Sequence, residues 1–219
     1  MFELYTCLFV GSVICVEETV IVVGATGKLG RVVVEGLQKD YEVIRAGRSG
    51  PDLKIDAFDF ESVSDVLASV GPFDGLVSCI GGTPFKTFEE LTMDDFAAGL
   101  STKCFSQLNL AKAAIPFLSE NGSITLTSGI IGDEPIIAGS CAAAANGALN
   151  MCVSTLAAEY AGKLRINVVS PSIIENSVDH YGMLFDGFEP TSNESIIHAY
   201  RRTISAPITG RVMSLTRAL

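Results

Sequence analysis

The sequence has no tryptophan and only two histidines, His180 and His198, and it is short of positive charge: 15 lysines and arginines stand against 25 aspartates and glutamates. A net charge of −10 leaves no basic surplus to displace the counterions of a nucleic-acid backbone, so no nucleic-acid partner is expected. The lysines and arginines can still form a small local anion site. None of the six cysteines belongs to a Cys-x-x-Cys pair, and two histidines add little, so no metal site is expected. Cys79, Cys104, Cys141 and Cys152 fall in apolar or small-residue runs and read as reduced, buried thiols of a cytoplasmic protein. The uncharged stretch LYTCLFVGSVICV (4–16) is too short for the ~20 residues that span a membrane. Glu3 is the only side-chain charge before it, where a secretory signal wants positive charge. It fits an extra strand, a loose extension or an upstream start site. Residues 1–18 are taken as an extension outside the domain, and no membrane association is expected.

Hydrophobic residues make up 48% of the 219 and charged residues 18%, the balance of a globular chain. That length fits one domain, here residues 19–219, able to bury about 70% of its unfolded surface. Strand candidates are TVIVVG (19–24), YEVIRA (41–46), LKIDAF (53–58), GLVSCI (75–80), SITLTS (123–128), RINVVS (165–170) and ITGRVMSL (208–215). Most are continuous apolar runs, as buried parallel strands require. Between them Leu29, Val32, Val33, Gly36 and Leu37 follow helical spacing, and Thr92 with Asp95 and Thr191 with Glu194 have the spacing of capping boxes. Strand–helix alternation gives an α/β fold, a parallel sheet with helices on both faces.

The first strand ends at Gly24, and Gly27 and Gly30 follow before an amphipathic helix. A tight turn after a buried strand wants glycine, and a diphosphate must approach bare backbone at a helix N-terminus. An ordinary tight strand–helix turn is the alternative. The second strand runs into RAGRSG, where NAD-selective sites place an acidic side chain for the ribose 2′-hydroxyl. Arg45, Arg48 and Ser49 stand there instead. A guanidinium and a hydroxyl suit a 2′-phosphate, so the expected cofactor is NADP(H). Otherwise Arg48 is a solvated loop charge. Asp56 either accepts from the adenine amino group or caps the next turn.

With these features in place, the chain resembles the short-chain dehydrogenase/reductase family over nearly all of residues 19–215. DGLVSCIGG (74–82) resembles the family's fourth strand, with Ser78, Cys79, Ile80 and Gly81 in place of Asn-Asn-Ala-Gly. NGSITLTSG (121–129) resembles the fifth, which carries the catalytic serine. GALNMCVSTLAAEYAGKLRINVVSPS (147–172) resembles the long helix, sixth strand and following turn, with Ser172 where glycine is common. The resemblance implies a Rossmann-type, doubly wound, seven-stranded sheet in the order 3-2-1-4-5-6-7. It implies cofactor contacts from Gly24, Thr26, Gly27, Lys28, Leu29, Gly30, Arg48, Ser49, Asp56, Ile80, Gly81, Pro171 and Ile173. It also implies a homodimer or homotetramer through the long helix and the helix near 103–118.

The family's chemistry uses a tyrosine, a lysine four residues on, a serine and an asparagine. Aligned on GALN, those positions hold Ala142, Asn146, Gly129 and Lys103. A methyl group donates no proton, and a neutral amide lowers no pKa. Three readings follow. The first is an NADP(H)-dependent oxidoreductase acting on a small carbonyl or alcohol with a rebuilt proton donor: Lys103 as acid, Ser128 polarising the carbonyl, Asn146 nearby, and Tyr181 beside His180 able to swing in. Each also has a bland role, as a helix-surface charge, a strand-end hydroxyl or a loop surface. The second is a catalytically inactive NADP(H)-binding sensor or scaffold. The third is an isomerase or lyase, for which no motif is present. Tyr181, Met183, Leu184, Phe185 and Phe188 supply apolar area for a lid or pocket, or pack on the core; as a lid they imply a partly apolar or aromatic substrate.

Overall fold

The computed structural model describes residues 18–216, so the N-terminal apolar stretch, with Cys7 and Cys15, lies outside the described residues. Seven parallel strands pair in the order β3-β2-β1-β4-β5-β6-β7, as the resemblance implied. They are β1 (Thr19–Val23), β2 (Glu42–Gly47), β3 (Leu53–Lys54), β4 (Phe73–Ser78), β5 (Leu118–Thr127), β6 (Arg165–Pro171) and β7 (Val212–Leu215). The helices are α1 (Lys28–Leu37), α2 (Phe60–Val70), α3 (Met93–Gly99), α4 (Ser106–Ala114), α5 (Ser140–Glu159), the single turn α6 (Val178–Tyr181) and α7 (Asn193–Ser205).

The apolar strands read continuously because successive side chains enter different layers. Val20 and Val22 of β1 join Val33 and Leu37 of α1 and Ile196 and Tyr200 of α7. Ile21 and Val23 point the other way, into a core with Leu67, Leu110, Leu149 and Val153 from α2, α4 and α5. α5 is long and apolar enough to cross a membrane by composition. Here its Cys141, Ala142, Ala145, Asn146, Leu149, Asn150, Val153 and Ala157 are buried, and it packs on β6.

Three local expectations change. β3 stops at Lys54, because the Asp56 carboxylate accepts from the Phe58 N–H (3.2 Å) and Asp59 then caps α2 through the Ser62 N–H (3.1 Å). β7 starts at Val212, after a turn at Gly210 with φ of 70°. Thr92 and Asp95 form their capping box, but Ser192, not Thr191, caps α7 through the Ser195 N–H. The Thr191 hydroxyl is buried instead, accepting from the Ser172 N–H (3.1 Å) and donating to Leu215 O (3.0 Å).

A polar lane crosses the sheet's interior. The Thr127 hydroxyl lies 2.5 Å from both the Ser78 carbonyl oxygen and the Tyr200 hydroxyl, and Thr125 donates to Thr203 at 2.7 Å. Tyr200 is fully buried, so its hydroxyl must find a partner inside. Tyr200→Phe removes one net hydrogen bond, about 1 kcal/mol. For a chain of this size, the expected fall in melting temperature is roughly 2–4 °C. An unchanged melting curve in calorimetry would show that the hydroxyl contributes nothing.

Candidate active site

All seven strands point the same way, so their C-terminal ends share one edge, with the crevice opening between β1 and β4 where the winding reverses. A cleft of ≈480 Å³ lies there, lined by Gly24, Thr26, Gly27, Gly47, Arg48, Ser49, Asp56, Cys79, Ile80, Gly81 and Gly82 among others. Gly24 has φ of 86°, and a Cβ there would sit 2.8 Å from Cys79 O. A Cβ at Gly30 would sit 2.1 Å from Gly24 O, so the helix start is pressed onto the turn. α1 opens at Gly27 with no side-chain cap. The N–H groups of Lys28, Leu29 and Gly30, in its first turn, therefore have no helical partner. A bare turn and unpaired N–H groups fit a dinucleotide's diphosphate.

Arg48 and Ser49 are exposed and line this cleft. Arg45 does not join them. Its guanidinium binds Asp52 through two 2.8 Å hydrogen bonds, and this pairing holds the Asp52 carboxyl down at about 2. Asp56 caps the Phe58 turn, as one of its two expected roles had it, and it also lines the cleft.

At the other end of the cleft, Lys103 sits on a π-helical turn, Leu100–Phe105, between α3 and α4. Its stem passes against Gly81, where a Cβ would lie 2.7 Å from Lys103 Cδ. The amine makes no hydrogen bond or ion pair among the described residues. Burial lowers its pKa to about 8, with Cys79 opposing weakly. The Cys79 thiol is itself pushed up to about 12 by burial. Cys79, Cys104, Cys141 and Cys152 are all free thiols.

Ser128 and Asn146 are buried, and Ser128 Oγ and Asn146 Oδ1 have no hydrogen-bond partner among the described residues. A Cβ on Gly129 would lie 3.3 Å from Asn146 Nδ2, so positions 129 and 146 face each other. Ala142 is enclosed with Ile130, Ile131, Ile173 and Phe185, and Phe85, Leu184 and Phe188 pack against them. Ile173 therefore lies in this apolar cluster, and Pro171 ends β6 as a buried residue. Tyr181 stays on the rim, its ring 5.5 Å from Phe85 and 4.4 Å from His180. Among the described residues no hydrogen bond joins it to Ser128, Lys103 or Asn146. The π-turn was not foreseen from sequence. Its signal is the polar pair Ser106–Gln107, which falls on the buried side of α4.

A seven-stranded parallel sheet with a glycine-lined crevice at its reversal point defines a Rossmann-type nucleotide-binding architecture. A family model described as enoyl-(acyl carrier protein) reductase matches residues 24–204, and the chain belongs to the short-chain dehydrogenase/reductase family of oxidoreductases. A tropinone reductase homologue of Arabidopsis thaliana is 29% identical over 187 residues, 74% of this chain and 71% of its own. Senescence-associated protein 13 of the same plant is 36% identical over 114 residues, and the match spans only 42% of that protein. Among solved structures, the Listeria innocua protein lin1944 superposes with a TM-score of 0.86 at 36% identity, over 90% of this chain and 99% of that one. A small-chain dehydrogenase solved with NADPH shares the fold with a TM-score of 0.81 at 24% identity, over 91% and 97% of the two chains.

An unpaired, desolvated lysine costs stability. Its folded pKa, about 8, lies below the ordinary 10.5, so the unfolded chain binds more protons between those values. Stability then rises with pH through that window. Lys103→Met is expected to raise the melting temperature at pH 7 and to flatten the rise between pH 8 and 10.5. A variant less stable than the parent at pH 7 would contradict the assignment.

Proposed function

We propose that the protein is an NADP(H)-dependent reductase of small carbonyl compounds in which Lys103 has taken over proton donation. The observation that carries this reading is Lys103, whose stem packs on Gly81 of the cleft wall and whose amine, unpaired among the described residues, has its pKa drawn down to about 8. Bound NADPH supplies the hydride. The first-turn N–H groups of α1 hold the diphosphate, Arg48 and Ser49 the 2′-phosphate, and Asp56, Ile80 and Gly81 flank the nucleotide. The Lys103 ammonium gives its proton to the carbonyl oxygen and is reprotonated from solvent between turnovers. The Ser128 hydroxyl, which has no partner among the described residues, and the Nδ2 amide hydrogens of Asn146 donate to that oxygen and orient it. Ile130, Ile131, Ala142, Ile173 and Phe185 suit a substrate with an apolar or aromatic part. Free thiols suit the reducing environment of the cytoplasm.

A second reading, an inactive NADP(H)-binding protein, is favoured by Ala142, a methyl group enclosed by apolar neighbours. One cuvette separates the two. NADPH is expected to bind well ahead of NADH, and Arg48→Ala to weaken NADPH by about 10- to 100-fold while sparing NADH. NADPH oxidation with ketones, aldehydes and quinones is expected to fall about tenfold per pH unit above pH 8 and to be lost in Lys103→Met. Binding without turnover supports the sensor; binding of neither nucleotide refutes both.

We also infer a homodimer through α4 and α5. A groove of ≈490 Å³ runs between them, lined by Leu108, Ala111, Ile115, Met151 and Leu156. Met151 is 69% exposed in the single chain. Light scattering is expected to give a dimer, and Met151→Glu a monomer. A parent protein that runs as a monomer would overturn this.

A further inference from the structure

The π-turn that carries Lys103 is held by side chains, and those side chains belong to this chain's own sequence. In an α-helix the Ser106 N–H would bond Thr102 O, four residues back. Here it bonds Ser101 O, five residues back. The Thr102 carbonyl loses that donor inside the protein, where an unpaired carbonyl is costly. The Ser106 hydroxyl takes its place, donating to Thr102 O at 2.8 Å. One residue on, the Gln107 amide donates to Lys103 O and to Thr127 O, both at 2.7 Å. Gln107 Oε1 accepts from the Thr127 N–H at 2.9 Å. Gln107 is fully buried and Ser106 nearly so, at 0% and 1% exposure.

Gln107 therefore ties two separate segments together. One is the turn that presents Lys103; the other is the end of β5, immediately before Ser128. Thr102 anchors the opposite side of the turn, its hydroxyl donating to Gly82 O at 2.6 Å. A π-turn holds one residue more than the α-turn it replaces. Relaxing it to α-helix rotates Lys103 by about 100° about the axis of α4. Such a rotation takes the amine away from Gly81 and the cleft.

We infer that Gln107 is the positioning residue for Lys103: its three hydrogen bonds hold the π-turn in register with the end of β5, and so hold the lysine's stem against Gly81 of the cleft wall. The catalytic part of this inference rests on Lys103 being the proton donor; the structural part does not. Cys79 is the titratable group whose charge Lys103 feels. Burial keeps the Cys79 thiol neutral through the titration of Lys103, and Tyr200 behind it is raised as well.

The test reads Lys103 directly. Acetic anhydride labelling is followed by mass spectrometry across pH in the parent protein and in Gln107→Leu, with circular dichroism reporting the fold. The parent is expected to show a labelling midpoint near 8, and the variant a midpoint moved up toward the ordinary 10.5. Carbonyl reduction is expected to lose up to about 100-fold in kcat, with the KM for NADPH unchanged. Gln107→Glu keeps the acceptor for the Thr127 N–H and removes the donor to both carbonyls. It is expected to shift the midpoint in the same direction if Gln107→Leu fails to fold. A folded variant whose midpoint stays near 8 overturns the inference. Turnover that survives Lys103→Met, alongside a midpoint that does move in Gln107→Leu, instead refutes the proton-donor reading and leaves the positioning role standing.

Discussion

Gly30 lies so close to the Gly24 carbonyl that any side chain would come within 2.1 Å of its oxygen. That backbone contact sets the angle at which α1 leaves β1. It brings the helix's unpaired N–H groups to the mouth of the crevice rather than into bulk water. The same turn presses Gly24 against Cys79 O at the end of β4, so the two central strands finish at one level. The nucleotide cleft, the segment from Cys79 to Gly82 and the π-turn beneath it all take their positions from this packing. Side chains at 24 or 30 would have to displace backbone, which has nowhere to go.

The two ends of the cleft differ in kind. The nucleotide end is built from backbone and glycine, and it keeps the features the family's fold requires. The chemical end is built from side chains. There Ala142 has joined an apolar cluster, while Ser128 and Asn146 keep buried polar atoms without partners. Buried polar groups left unpaired cost about 1–3 kcal/mol each. Among the described residues Ser78, Ser123, Asn150, Ser170 and Ser172 carry buried unpaired oxygens too, so what sets this end apart is the desolvated amine of Lys103.

The fold was legible because parallel strands buried on both faces write themselves as uninterrupted apolar runs, and because glycine has few other reasons to fall at 24, 27 and 30. Arg48 and Ser49 were legible by position, at the end of β2. Arg45 was misread as a partner of theirs. Asp52 lies seven residues on, and only the short loop that brings the chain back to the start of the parallel strand β3 sets it alongside. Thr191 was misread as a cap because its spacing to Glu194 is right, yet the bridge between Ile174 and Thr191 buries it one residue before the true cap, Ser192. The π-turn was invisible to periodicity. One inserted residue changes the hydrogen-bond count locally without disturbing the apolar stripe. Its trace in the sequence is chemical: Ser106 and Gln107 are polar residues where α4 faces the core.

On the proposed reading the carbonyl oxygen of the substrate is met by Lys103, with Ala142 at the position where the family resemblance expects a tyrosine. The most direct measurement is a crystal structure of the ternary complex with NADP⁺ and a small alcohol or carbonyl compound. The account requires the substrate oxygen within about 3 Å of Lys103 Nζ, with the Ser128 hydroxyl alongside. A complex in which Tyr181 folds in to hold that oxygen, while Lys103 points to the diphosphate, would contradict it.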